Sequence, residues 1–167
     1  MFDADALLAG DEAALADTID TLSPELYRYA AGILLSSADA ADAVQNAFIS
    51  LWKHRASVRD TAAVRAYLYR CTYRACVDII RMKKLFMPLP RPDSRPLSPE
   101  MTAALRKLSP AERAIVYERA VTETPYADLA AHLGIREDSV RKKYERAKKK
   151  LAVWLSPETK NNEKRGE

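Results

Sequence analysis

Apolar residues recur at helical spacing along most of the chain, and strand-like alternation is nearly absent. The pattern predicts an all-α protein. A first helix is expected over residues 3–20, acidic outside, with Leu7, Leu8, Leu15 and Ile19 inside. Ser23, Pro24 and Glu25 read as the start of a second, with Ser as N-cap and Pro at the first helical position. Its stripe is Leu26, Tyr29, Ala30, Ile33 and Leu34, and it ends near Ser36 and Ser37. Asp39 opens a third helix, to His54, that buries Val44, Phe48 and Leu51. Thr61 caps a fourth, from about residue 62 to 84, with Val64, Leu68, Cys71, Ala75 and Ile79 on its apolar face. Between Met82 and Pro99 the pattern stops. Pro88, Pro90, Pro92, Pro96 and Pro99 lie there, five of the nine prolines in the chain. Proline lacks an amide donor and disfavours helix, so this stretch reads as an extended, semi-rigid linker.

Beyond the linker, Ser98 starts a helix that runs to about Leu108. Ser109, Pro110 and Glu112 form a capping-box signature ahead of Ile115, Val116 and Ala120. Residues 126–151 then read as two helices joined by a tight turn. Leu129, Ala130 and Leu133 form the first stripe, and Gly134 stops it, because glycine takes a left-handed conformation at little cost. Ile135 fills the corner. Glu137 and Asp138 open the second helix, where carboxylates favour the positive end of the dipole. Val140, Tyr144, Ala147 and Leu151 continue it as an apolar seam. Ala130, Gly134 and Val140 have the spacing of a helix-turn-helix, with a small residue at the helix contact, a glycine in the turn and a branched anchor beyond. The polar tail from residue 156 reads as disordered. The predicted organisation is therefore two small helical domains, residues 1–82 and 100–155, joined by a linker over 83–99 and followed by a tail over 156–167.

Charge changes this picture by its distribution. The 167 residues carry a net charge of +4, but residues 1–45 hold nine acids and one base, while residues 51–86 hold nine bases and two acids. Residues 136–151 hold eight bases and three acids, a net +5. Two separated basic zones point to two contacts with a polyanion. Cys71 and Cys76 are five apart in a helical stretch, about 500° of rotation, and so on different faces. A bridge between them is not expected. Two histidines and two cysteines at these spacings make no metal set. No nucleophile–base pair or paired carboxylates suggest catalysis. No apolar run is long enough to span a membrane, and the acidic N-terminus lacks a secretory pattern.

Helical arithmetic then isolates two faces. In residues 39–54, Asp42, Gln45, Ile49 and Trp52 fall together beside the buried stripe. They are either the edge of a wide core or the anchors of a protein-binding face. In residues 62–84, Arg70, Arg74 and Arg81 lie within about 40° of one another, with Tyr69 and Tyr73 beside them. Arginine with tyrosine suits single-stranded nucleic acid, because guanidinium groups take phosphates and rings stack on unpaired bases. The alternative is a solvated basic face whose tyrosines pack on a neighbouring helix.

Three segments carry a family resemblance. They are residues 39–52 (DAADAVQNAFISLW), residues 66–81 (AYLYRCTYRACVDIIR), and residues 108–113 (LSPAER) with 128–135 (DLAAHLGI) and 140–151. In this order, with a Pro-rich stretch between, the chain resembles a bacterial sigma factor of the extracytoplasmic-function (ECF) group, sigma-70 family. The resemblance implies a cytoplasmic transcription initiation factor, not an enzyme, that needs no cofactor and is monomeric when free. Its partners would be core RNA polymerase, through the clamp coiled coil and flap of the large catalytic subunit, promoter DNA, and an anti-sigma protein. Asp42, Gln45, Ile49 and Trp52 would bind polymerase. Arg65, Tyr69, Arg70, Tyr73, Arg74 and Arg81 would bind and open the minus-10 element. Arg136, Ser139, Arg141, Lys142, Lys143, Arg146 and Lys149 would read the minus-35 element. The chain departs from the family's usual pattern at Ala41, Arg74, Pro125, Asp128 and Arg136, and its linker holds Arg91 and Arg95 with only Asp93.

The segments leave two rivals. A stand-alone helix-turn-helix regulator would use residues 126–151 but give the Trp52 face no task. A protein-binding adaptor would need the first domain's surfaces but no basic recognition helix.

Overall fold

The computed structural model describes residues 2–86 and 98–156, and every regular element among them is helical. The helices are α1 (Ala4–Ala9), α2 (Glu12–Leu34), α3 (Ser37–His54), α4 (Thr61–Phe86), α5 (Pro99–Arg106), α6 (Pro110–Ala120), α7 (Tyr126–Leu133) and α8 (Glu137–Leu155), with a single 3-10 turn at Arg55–Ser57. Most of the expected linker and the tail beyond Ser156 lie outside the described residues. The residues just before the linker are helical, because α4 continues to Phe86.

The N-terminal helices depart from the periodicity reading. The chain breaks at Gly10, not near Ser23. Gly10 adopts a left-handed φ of 94°, and Asp11 caps α2 by accepting from the Ala13 and Ala14 amides. Helix α2 then runs through Pro24 without stopping. Leu22 and Leu26 are both buried on one stripe, so packing carries the helix across the local stop signal. Pro24 is exposed, so the carbonyl that loses its partner there, on Asp20, can turn to water. Two caps also differ by a residue or more. Ser36 caps α3, and Asp60 caps α4 by accepting from the Ala63 amide. The capping box at Ser109 and Glu112 is formed in both directions.

Helices α2, α3 and α4 bury Leu26, Tyr29, Ile33, Val44, Leu51 and Leu68 between them, with Leu7 of α1 closing one end. The second half has two small clusters. Leu105 and Leu108 meet Ala147 of α8, while Ile115, Leu129 and Val140 meet beneath the helix-turn-helix. The halves touch. Helix α6 packs on α2 and α7 packs on α4, so Ala114, Tyr117 and Leu133 join the first half's core.

Candidate functional site

Helix α3 presents the first surface. Asp42 and Gln45 are exposed, Ile49 is 45% exposed, and Trp52 is half-buried. The four share one face; Ile49 stands clear of the core, while Trp52 packs partly against it. They border a groove of about 680 Å³, lined by Ile19, Tyr27, Val44 and Phe48 as well. The lining is almost wholly apolar, while Asp42 adds charge beside it. Trp52 is held from behind. The Arg55 guanidinium lies 4.2 Å from the Trp52 ring centroid and donates to the Trp52 carbonyl at 2.6 Å. Gly10 packs against that same guanidinium, where a Cβ would come within 3.2 Å of an Arg55 nitrogen. The sequence reading passed over Arg55, although its position three residues after Trp52 is a usual spacing for a contact on one helix.

The second surface lies along α4. Arg74 and Arg81 are exposed, and Arg70 is half-buried with its guanidinium 5.4 Å from the Tyr67 ring. The tyrosine beside the arginine stripe is thus Tyr67, with the i, i+3, i+7 spacing of Tyr67, Arg70 and Arg74 as the signal for it. Its hydroxyl lies 3.0 Å from the Ser50 hydroxyl. Ser50, Tyr67, Arg70 and Arg74, with Asn46 and His54, line a cleft of about 640 Å³ between α3 and α4. Arg65 is exposed but engaged, donating to both Glu25 oxygens at 2.7 and 2.6 Å.

Tyr69 faces the second half of the molecule. It is only 3% exposed, donates to Glu25, and stacks on His132 of α7 with ring centroids 5.3 Å apart. Burial first, then the Glu25 carboxylate, push its hydroxyl far above the ordinary tyrosine range. In this arrangement its ring is closed to a base. Tyr73 is half-buried against the first core, and burial raises its hydroxyl too. Both lie on the opposite flank of the stripe from Tyr67, which is the side the neighbouring helices cover.

The third surface is the helix-turn-helix. Gly134 takes a φ of 67°, and its amide and that of Ile135 both return to the Ala130 carbonyl, which closes the turn. Val140 is fully buried against Ile115 and Leu129, fixing α8 on α6 and α7. Arg136 stands at the N-cap of α8 with no side-chain cap, as a residue without a short oxygen must. Arg136, Arg141, Lys142, Arg146 and Lys149 are exposed, and Ser139 and Lys143 are partly so. Arg141 is held by Glu137 and lies 4.3 Å from the Tyr126 ring. Lys142, Lys143, Arg146 and Lys149 make no ion pair among the described residues, so their charge is available to phosphate. Lys150, itself exposed, pairs with the buried Glu112 at 2.9 Å. Burial raises the Glu112 carboxyl, but the Lys150 pair and the Ser109 amide outweigh it and hold it below the usual range.

Cys71 and Cys76 are free thiols. Among the described residues no cluster of His, Cys, Asp or Glu could hold a metal, and no helix is long and apolar enough to cross a membrane.

Comparison with known proteins identifies the family. Residues 18–85 match Sigma-70 region 2, and residues 99–151 match Sigma-70, region 4. The ECF RNA polymerase sigma factor SigM of Mycobacterium tuberculosis is 32% identical over 160 residues, covering 90% of this chain and 81% of SigM. The fold is similar to that of the sigma factor RpoE in complex with the anti-sigma factor NepR from Bartonella quintana, with a TM-score of 0.71 at 18% identity, covering 84% of this chain and 95% of that one. It is also similar to CnrH in complex with the cytosolic domain of CnrY, with a TM-score of 0.69 at 20% identity, covering 91% and 94%. The chain therefore belongs to the ECF sigma factors of the sigma-70 family, alternative sigma factors that direct RNA polymerase to promoters.

Proposed function

We propose that the three surfaces divide the work of initiation. The Asp42, Gln45, Ile49 and Trp52 face docks on the clamp coiled coil of the polymerase, with the adjoining groove taking apolar side chains of that partner. The single observation that carries this assignment is Ile49 beside Trp52 on the solvent side of α3, at the mouth of an apolar groove. The cleft between α3 and α4 takes the opened minus-10 strand. Arg70 and Arg74 hold phosphates there, Tyr67 offers a ring, and Arg81 and Arg65 take phosphates outside the cleft. Helix α8 enters the major groove of the minus-35 element, with Arg136, Ser139, Arg141 and Lys142 toward its N-terminal end and Lys143, Arg146 and Lys149 on phosphates. The working units follow the expected domains, residues 1–82 and 100–155, with residues 83–99 linking them through the polymerase and a tail from residue 156. The factor acts in the cytoplasm, where its polymerase is, and is monomeric when free. An anti-sigma protein is the expected antagonist. The sigma factor RpoE, which shares this fold, was captured with the anti-sigma factor NepR.

Transcription in vitro tests the assignment. The purified chain is mixed with bacterial core polymerase and a pool of promoter fragments, and transcript starts are sequenced. Discrete starts that depend on the chain, lost with Trp52→Ala combined with Gln45→Ala, are the expected result. No starts, with duplex binding intact without polymerase, would leave a stand-alone regulator. No starts and no DNA binding would leave a protein-binding adaptor.

A further inference from the structure

Helix α3 has a third face, used neither by its core contacts nor by the proposed polymerase docking. Asn46, Ser50 and His54 recur every four residues and form one ladder along the helix. At 100° per residue the ladder flanks the buried stripe of Val44 and Leu51 on one side, while Gln45, Ile49 and Trp52 flank it on the other. The ladder's centre lies about 120° around the helix from that of Asp42, Gln45, Ile49 and Trp52. All three ladder residues line the cleft between α3 and α4, together with Tyr67, Arg70 and Arg74.

The two walls of the cleft differ in chemistry. The α4 wall offers a ring and two guanidinium groups, which can hold phosphate or stack on any base. The α3 wall offers hydrogen-bonding groups of defined polarity. Asn46 is exposed and makes no hydrogen bond among the described residues. Its amide presents a donor and an acceptor side by side, the pattern that pairs with adenine. Asparagine is a poor helix former, so helix formation gives no reason for it at this position. His54 is exposed, with Nδ1 2.9 Å from the Ser50 carbonyl. A carbonyl accepts, so Nδ1 carries the hydrogen, and in the neutral ring Nε2 is left as an acceptor. That suits the exocyclic amino group of a base. Ser50, between them, is engaged within the protein. Its hydroxyl lies 3.0 Å from the Tyr67 hydroxyl and accepts from the Cys71 thiol at 3.6 Å. Asn46 and His54 are eight residues apart, about 12 Å along the helix. That is three to four steps of a stacked strand at about 3.4 Å each, so a strand in the cleft would meet them with different bases.

We propose that Asn46 and His54 are specificity-determining residues of the minus-10 contact, Asn46 pairing with an unpaired adenine and His54 accepting from the amino group of a second base. The helix that docks on polymerase with one flank reads the opened strand with the other. This inference rests on the strand-binding role proposed above for the cleft, and it names the base readers within it.

The test is transcription by the reconstituted holoenzyme on a promoter pool randomised through the minus-10 region, with the sequences that yield transcripts counted. Asn46→Ala should relax the preference about tenfold at one position, where the wild type selects adenine. His54→Ala should relax a second position. The minus-35 preference and the amount of holoenzyme formed should not move, because neither residue lies on the docking face or on α8. Both residues are exposed and alanine is the better helix former, so the fold survives either change. Arg74→Ala is the contrast: yield should fall across all sequences while the profile keeps its shape. A profile identical to wild type in either variant overturns the assignment of that residue. Loss of holoenzyme with Asn46→Ala also overturns it, because it would put Asn46 in the docking surface. If Arg74→Ala lowers yield while both alanine variants keep the wild-type profile, this inference alone fails. If Tyr67→Ala combined with Arg74→Ala leaves yield and profile untouched, the strand does not use this cleft, and the role proposed for the cleft fails with it.

Discussion

The two halves solve the same problem at different depths. The first packs α2, α3 and α4 around one continuous core, with Tyr29, Leu26, Ile33, Leu51 and Leu68 all nearly inaccessible. The second holds α8 by two thin clusters, to which the helix contributes Val140 and Ala147 as its buried residues. Their charges do not divide in the same way. Arg65 and Lys83 in the first half are tied to Glu25 and Asp39, and Arg141, Lys148 and Lys150 of α8 are tied to Glu137, Glu145 and Glu112, so each half mixes paired and open cations. A deep core suits a platform that must bind a protein and resist the pull of an opening duplex. A thin module suits a reader that only has to lie in a groove. Function has been divided by packing as much as by sequence.

The largest effect should come from striking the thin core. Leu129→Ala should cost about 2–5 kcal/mol and unfold the second half selectively. Hydrogen exchange would then show α6 to α8 unprotected and α2 to α4 unchanged. Uniform loss across both halves would break the distinction. Next, Trp52→Ala with Gln45→Ala should cost about 2–4 kcal/mol in polymerase affinity while the melting curve stays put. An unaltered pull-down would remove α3 from the interface. Arg141→Ala or Arg146→Ala should weaken duplex binding by about 1–3 kcal/mol with relaxed base preference if a base is read. If phosphate is the target, the salt slope should instead fall by about one. The smallest effect is electrostatic. The Glu112 carboxyl is held low in the folded chain, so its stabilising contribution is present above the unfolded value of about 4.3 and is lost as pH falls through the folded value. Lys150→Met should flatten that acid dependence and cost about 0.5–1 kcal/mol at neutral pH, by thermal melts across acid pH. An unchanged acid profile would mean that the Ser109 cap alone sets it.

The parts of this arrangement governed by short-range geometry were legible in the chain. The Gly134 turn, the Val140 anchor and the Ser109 box depend on residues within one or two turns, and each formed as its spacing implied. The shared face of Asp42, Gln45, Ile49 and Trp52 follows from helix rotation alone. What failed depends on partners distant in sequence. Ser23 and Pro24 carry a strong local start signal, yet Leu22 and Leu26 meet one core and α2 runs through. Tyr69 shares the chemistry of a stacking residue, and only the docking of α7 on α4 turns it inward. Periodicity reports that a helix has a second apolar flank. It does not report which neighbour covers it, so periodicity alone does not separate Tyr67 from Tyr69 and Tyr73.

Arg55 has a consequence for timing. A tryptophan on an open surface samples several rotamers, and a binding partner must select one, at about 0.5–1.5 kcal/mol for an immobilised side chain. Trp52 is already clamped between the core and a guanidinium that is itself braced by Gly10. Its conformational choice is made when α1 folds down, before any polymerase arrives. On the proposed docking role of Trp52, the short N-terminal helix therefore acts on docking through Arg55. Its removal should leave the list of contacts intact but shorten the lifetime of the complex, a loss that an equilibrium fold assay would miss and a dissociation-rate measurement would record.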